Sequence, residues 1–210
     1  MAMLGITVTY QTKELFETAY NSIRKFLPGL HLMIVDGSPR ESPCYEYVKS
    51  LAGPLDTVFL LEKNIGHGLG MHHALQRAKD EKILIFDSDI EMLQSPVKEM
   101  EALLAPGVYG VGEIYKIGRD GLHRNPVLDL PYLRPYFMLI SLSQYFRFHR
   151  YIHHGSPCVK AMLEINHQGL SENALIPFSL QGYIRHDWGG TRKFNRSRMV
   201  HEIPNSWERL

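Results

Sequence analysis

Ile83, Leu84, Ile85, Phe86, Asp87, Ser88, Asp89 and Ile90 form the stretch that decides how this sequence is read. Its first four residues are apolar, and so short a run reads as a buried strand. Its character changes abruptly at Asp87. A parallel strand presents ligand-binding residues at its carboxyl end, and alternate residues of an extended chain point to one side. Asp87 and Asp89 can therefore face one cation, and hard carboxylate oxygens suit Mg²⁺ or Mn²⁺ bridging to a diphosphate. That points to a metal-dependent enzyme acting on a nucleotide diphosphate. The competing reading is structural: Asp87 ends the strand, Asp89 caps the next element, and an isolated Asp-x-Asp recurs by chance.

The residues upstream weigh on that choice. Leu4 to Tyr10 alternates like a strand, and Leu15, Phe16, Ala19, Tyr20, Ile23, Phe26 and Leu27 then recur at helical spacing until Pro28 and Gly29 stop the helix. Leu30 to Val35 is a second strand, ending in Asp36, Gly37 and Ser38. Ser42 before Pro43 marks a helix start, and that helix runs to about Ala52. Thr57 to Leu61 is a third strand. Asn64 to Gly70 is glycine-rich and precedes a helix carrying Met71, Ala74, Leu75 and Ala78. Glycines between a strand and a helix let backbone amides approach an anion closely. Repeated strand and helix units predict a mostly parallel sheet flanked by helices, with its loops opening on the side of the two aspartates.

Beyond Asp89 the pattern weakens. A short helix is expected from Ser95 and Pro96 to Leu104, then a strand over Val108 to Lys116. Asn125 to Arg134, with two prolines, reads as an irregular loop, and Tyr136 to Ser141 as a strand. Ser156 and Pro157 open a helix that Gly169 stops, and Gly182 to Trp188 reads as a last short strand.

The chain has 210 residues, of which 44% are hydrophobic, enough for one domain with a real core. The formal charge of +1 carries no electrostatic mandate for nucleic acid. Two cysteines, Cys44 and Cys158, are too few for a disulfide framework, so a reducing, cytoplasmic setting is expected. No segment approaches the ~20 apolar residues of a membrane helix, which leaves peripheral association at a membrane surface open. The oligomeric state is not legible.

Four of these stretches, in order, resemble the GT-A-type glycosyltransferases of the large inverting family 2, which use nucleotide-diphospho sugars. Thr7-Val8-Thr9-Tyr10 is similar to that family's first-strand ending, and Ile34-Val35-Asp36-Gly37-Ser38 to its second. Asn64-Ile65-Gly66 through Gly70 resembles its Asn-x-Gly segment, and Leu84 through Asp89 its DXD strand. The resemblance implies an α/β, GT-A (Rossmann-like) fold, a single domain with a nucleotide-sugar-binding half, 1–115, and an acceptor-side half, 116–210. By the same resemblance Asp36 binds the base, Asp87 the ribose or the metal shell, and Asp89 the metal. Thr9 and Tyr10 line the nucleotide pocket, and Asn64, Gly66, Gly70 and Ser88 complete the donor site. Without it, Asp36 before Gly37 is an ordinary turn residue, Asn64 can simply end a strand, and three glycines are a weak phosphate signal.

In the later half, His186-Asp187-Trp188-Gly189-Gly190 resembles the family's late His-x-Gly-Gly-type segment, which makes His186 a candidate third ligand to Mn²⁺ or Mg²⁺. A packing histidine is the competing reading. The family's Glu-Asp pair has no counterpart, because no Glu-Asp dipeptide occurs in the chain. His153 and His154 stand in the corresponding place. An imidazole suits proton abstraction near neutral pH, so His154 is the first candidate for general base, His153 the second and Glu113 a further one. Both histidines also read as exposed loop residues.

The resemblance implies transfer of a sugar from a nucleotide-diphospho donor, most often UDP-linked, to an acceptor hydroxyl. A binding protein without turnover and a nucleotidyltransferase on the same fold are the alternatives. The latter usually carries a glycine-rich basic loop after the first strand, where Tyr10, Gln11, Thr12 and Lys13 stand here. The acceptor stays open between a saccharide, a lipid-linked molecule and nucleic acid. Arg119, Arg124, Arg134, Arg147 and Arg150, interleaved with Tyr132, Tyr136, Tyr145, Phe146 and Phe148, most simply form solvated surface over core.

Overall fold

The computed structural model describes residues 3–118, 130–152 and 155–187. Its first half alternates strand and helix: β1 (Met3–Thr9), α1 (Lys13–Phe26), β2 (His31–Asp36), α2 (Pro43–Ser50), β3 (Asp56–Leu60), α3 (His67–Leu75), β4 (Lys82–Phe86). There follow β5 (Ile90–Met92), α4 (Val97–Leu103), β6 (Gly110–Ile117), β7 (Leu130–Ser141), α5 (Leu142–Tyr145), α6 (Val159–His167), α7 (Ser171–Ala174), β8 (Leu175–Pro177) and β9 (Ile184–His186). One sheet of seven strands runs β3-β2-β1-β4-β7-β6-β8, and β5 pairs with β9 in a separate ribbon. Among the described strands of the large sheet only β7 runs against the others, antiparallel to both β4 and β6.

β4 sits at the centre, between β1 and β7, and is apolar on both faces because both are covered. Ile83 and Ile85 point into a core made with Met71 and Leu75 of α3 and Met162 and Ile165 of α6. Leu84 and Phe86 point into the other, with Phe16 and Ile23 of α1, Val48 of α2 and Met100 of α4. All four β4 side chains are fully buried, each contributing about 1.5–3 kcal/mol of transfer free energy. Apolar packing therefore fixes the register that carries Asp87 to the sheet's edge.

Three expectations are corrected. α3 begins at His67, so Gly68 and Gly70 lie within the helix and not in a loop before it. At Gly70 a Cβ would come 2.7 Å from Val8 Cγ1, so the glycine is needed for α3 to lie against β1. β7 begins at Leu130, so residues 130–134 are strand and not irregular loop. Pro131 keeps its register opposite Lys116, and Pro135 is tolerated because the β6–β7 register breaks: Gly112 pairs with Met138 and Ile114 with Leu133, so Glu113 alone faces Arg134, Pro135, Tyr136 and Phe137. Such a bulge bends the strand and re-aims side chains. Finally, the last strand begins at Ile184 and not at Gly182, runs to His186 and pairs with β5. The Ser42–Pro43 helix start holds, with the Ser42 hydroxyl accepting the Cys44 N–H at 3.2 Å. Cys44 and Cys158 are buried free thiols. Among the described residues no helix is long and apolar enough to cross a membrane.

Candidate functional site

The carboxyl ends of β1, β2, β3 and β4 open onto a cavity of about 410 Å³. One side is lined by Thr9, Tyr10, Gly37, Asn64, Gly66 and His67, the floor by Asp87, Ser88, Asp89 and His186, and the far side by Tyr115, Tyr132, Arg134, Tyr136 and residues 155–157. Asn64 and Gly66 form a local turn in which Asn64 Oδ1 accepts the Gly66 N–H at 2.9 Å. Gly66 has φ +87, a conformation that glycine adopts without strain.

Asp87 extends the ladder of β4, its N–H donating to the Tyr136 carbonyl at 2.9 Å. His186 arrives from β9, whose pairing sets it opposite Ile90, while the Asp187 N–H donates to the Asp89 carbonyl at 2.9 Å. The ribbon brings His186 Nε2 to 3.1 Å from Asp89 Oδ1 and 3.8 Å from Asp87 Oδ2. One ligand atom from each of Asp87, Asp89 and His186 lies within 4.8 Å of the others. Tyr136 stacks flat on the His186 ring, centroids 4.7 Å apart and planes 1° from parallel, and so holds the imidazole's orientation.

The electrostatics follow from this crowding. Burial alone would raise the Asp87 carboxyl, but His67 foremost, then His186 and Arg134, draw it below the usual carboxylate range. Burial likewise works against a charged His67, and the Asp87 carboxylate at 3.2 Å outweighs it, raising the imidazole. Among the described residues the buried Asp87 Oδ1 has no well-aligned hydrogen-bond donor, the His67 imidazole at 3.2 Å being its nearest counter-charge. Two converging carboxylates with a buried oxygen of this kind make a site that a divalent cation fits, since buried charge is costly without compensation.

Of the residues singled out in the sequence, Thr9, Tyr10, Asn64, Gly66, Asp87, Ser88, Asp89 and His186 all line the cavity. Others do not. Asp36 is fully buried behind the wall, where its Oδ1 accepts the Ser38 hydroxyl at 2.6 Å and Gly37 takes the lining position. Burial pushes the Asp36 carboxyl up, against the Ser38 and Cys44 donors. Gly70 packs on Val8. Glu113 lies outside the lining and is paired with Arg134 at 2.8 Å. His153, His154, Trp188, Gly189 and Gly190 fall outside the described residues. Sequence reasoning gave His67 no role, and it left Arg134 and Tyr136 as surface over core. The clue for the latter pair was proline at 135 inside an apolar strand, a position that demands a bulge.

A central parallel strand ending in two carboxylates, flanked by an antiparallel partner and covered by helices, defines a GT-A architecture. Glycosyl transferase family 2 matches residues 6–164, and the chain belongs to this family. Solved structures similar in fold include S. aureus TarS 1-349, at TM-score 0.62 and 15% identity over 92% of this chain and 63% of that one. Another is the mannosyltransferase PcManGT from Pyrobaculum calidifontis, in complex with GDP-Man and Mn²⁺, at TM-score 0.60 and 15% identity over 84% of this chain and 54% of that one. A putative glucose-1-phosphate thymidylyltransferase from Bacillus anthracis has TM-score 0.56 at 11% identity, over 98% and 99% of the two chains. This chain therefore spans between about half and two thirds of the length of the first two. No curated protein matches it in sequence.

Proposed function

We propose that this protein transfers a sugar from a nucleotide-diphospho donor, UDP- or GDP-linked, to an acceptor hydroxyl with inversion. The observation that carries the reading is the meeting of Asp87, Asp89 and His186 within 4.8 Å on the floor of a cavity whose rim is built from the ends of β1 to β3. It is supported by family membership and by similar folds solved with GDP-Man and Mn²⁺ or with UDP-GlcNAc.

Thr9, Tyr10 and Gly37 would seat the nucleoside, and Asn64, Gly66 and Ser88 its ribose and phosphates. Asp36 acts from behind by fixing the Ser38 hydroxyl, which accepts the Gln11 N–H at 2.9 Å and so sets the loop carrying Tyr10. Asp87, Asp89 and His186 would hold the cation, and their mixed oxygen and nitrogen donors favour Mn²⁺ over Mg²⁺, which prefers oxygen and water. When bound, the cation supplies charge neutralisation for the departing diphosphate. His67, at the first turn of α3, orients Asp87 from the opposite side. His154, with His153 second, is the proposed base, because residues 155–157, the next in the chain, line the cavity. Glu113 fits that task poorly, since it lies outside the cavity lining and is held by Arg134 at 2.8 Å.

The test is nucleoside diphosphate release from UDP-GlcNAc and GDP-Man with Mn²⁺, Mg²⁺ or EDTA. Mn²⁺-dependent release is expected, and Asp89→Asn should lower it by about a hundred- to a thousandfold. Full turnover in that variant would refute the site. Binding without turnover would point to the non-catalytic alternative.

A further inference from the structure

The cavity has two unlike walls, and the far one carries a distinctive assembly. The Arg134 guanidinium lies 4.9 Å from the centroid of the Tyr115 ring and 4.7 Å from that of Tyr136. Its Nη1 donates to Glu113 Oε2 at 2.8 Å, and its side chain is only 16% exposed. The β6–β7 bulge creates this arrangement by setting Glu113 alone against residues 134–137. Tyr115 also meets Tyr132 edge-on at 6.1 Å and remains 38% exposed at the rim. β6 and β7 stand on one side of β4 in the sheet and the proposed donor loops on the other, so this wall lies across the metal floor from the nucleotide.

We infer that the Tyr115–Arg134–Glu113 wall is an acceptor subsite and that its occupant is an uncharged saccharide, an inference that rests on the proposed transferase function. Three physical points support it. A half-exposed aromatic ring at a cavity rim offers the flat apolar surface that the C–H face of a sugar ring covers. A guanidinium packed against two rings and paired with Glu113 is held in one orientation, which fixes the Tyr115 ring beside it. Most decisive is charge. A subsite for a phosphate or carboxylate acceptor needs an uncompensated cation, and here Glu113 cancels Arg134 at contact distance. Arg134 and Tyr115 would touch the saccharide. Glu113 is a positioning residue that sets both the direction and the net charge of the guanidinium. The wall is also coupled to the metal floor, because the other ring against Arg134, Tyr136, stacks on His186.

The experiment measures binding of lactose, cellobiose and maltose, with glucose 6-phosphate as the anionic probe, to protein loaded with UDP and Mn²⁺ by saturation-transfer NMR. At least one neutral disaccharide should bind in preference to glucose 6-phosphate. Tyr115→Ala should weaken that binding about five- to tenfold while moving UDP affinity less than about twofold. Glu113→Gln should shift the preference toward glucose 6-phosphate, a change of sign that simple loss of structure does not produce. Preference for glucose 6-phosphate in the unaltered protein, binding of no disaccharide, or disaccharide binding indifferent to Tyr115→Ala would each overturn the inference. Donor release is followed in parallel. Disaccharide binding that responds to both variants without any turnover defeats the transferase reading and leaves the saccharide subsite standing.

Discussion

The two halves of this molecule are assembled in different ways. In the first half β2 joins β1 and β3 joins β2, each crossover being a single helix laid on the sheet, and β4 returns to the free side of β1, every pairing parallel. From β6 onward antiparallel pairing enters: β7 lies between β6 and β4, opposed to both, and β9 crosses back to β5. The first half thus builds a nucleotide rim from local pattern, whereas the second delivers single side chains to a floor the first half has prepared. The proposed metal triad is where they meet, two of its residues coming from the strand end and one from a three-residue strand. The lesson is that the family match, which ends at residue 164, covers the rim and not the residue that completes the floor.

That contrast can be broken most directly at His186. His186→Ala should lower Mn²⁺-dependent donor release about a hundredfold while leaving metal-free melting nearly unchanged, measured by coupled assay and calorimetry. A large loss of metal-free stability would mean that the ribbon is structural scaffold and not a delivery device. In the first half the sharpest probe is Gly70→Ala, which puts a methyl group 2.7 Å from Val8 Cγ1 and should destabilise the fold by about 1–3 kcal/mol in urea unfolding. Val8→Ala in the same chain should recover most of that loss, and failure to do so would remove helix packing as the reason for the glycine. Tyr136→Leu probes the junction: without the ring stacked on His186, Mn²⁺ affinity by isothermal titration should fall about tenfold.

The smallest effect concerns Asp36, which the donor half buries. Its carboxyl is pushed up by burial, so relative to the unfolded chain the native state favours the protonated form. The stability this contributes is fully present below about pH 4 and is lost as pH rises through the raised value. Asp36→Asn, which cannot ionise, should therefore melt higher than the unaltered protein at pH 7, and the gap should close toward pH 4. A gap independent of pH would show that the carboxyl titrates alike folded and unfolded.

Much of the donor half was legible because its elements are punctuated by local chemistry. Pro28 and Gly29 end α1, Ser42 caps α2, and the polarity change at Asp87 ends β4. The start of α3 was misread because Gly68 and Gly70 look like loop residues until the packing against Val8 is known. The second half resisted for a related reason. Pro131 and Pro135 read as strand breakers, yet Pro131 holds a place in the ladder opposite Lys116, and Pro135 falls opposite the Glu113 bulge, where no ladder hydrogen bond is needed. Arg134 read as surface because nothing in its immediate sequence announces Glu113, twenty-one residues earlier, as its counter-ion. His186 was found through motif resemblance, whereas its stacking on Tyr136 has no one-dimensional signature.

The ribbon that carries His186 has only three residue pairs, too few to persist on backbone hydrogen bonds alone. Anything that binds the assembled triad but not the detached segment pulls the equilibrium toward docking by mass action. Manganese concentration would then act as a thumbscrew on the late part of the chain, tightening residues 184–187 in proportion to occupancy. Amide exchange there would serve as a gauge of the ion itself.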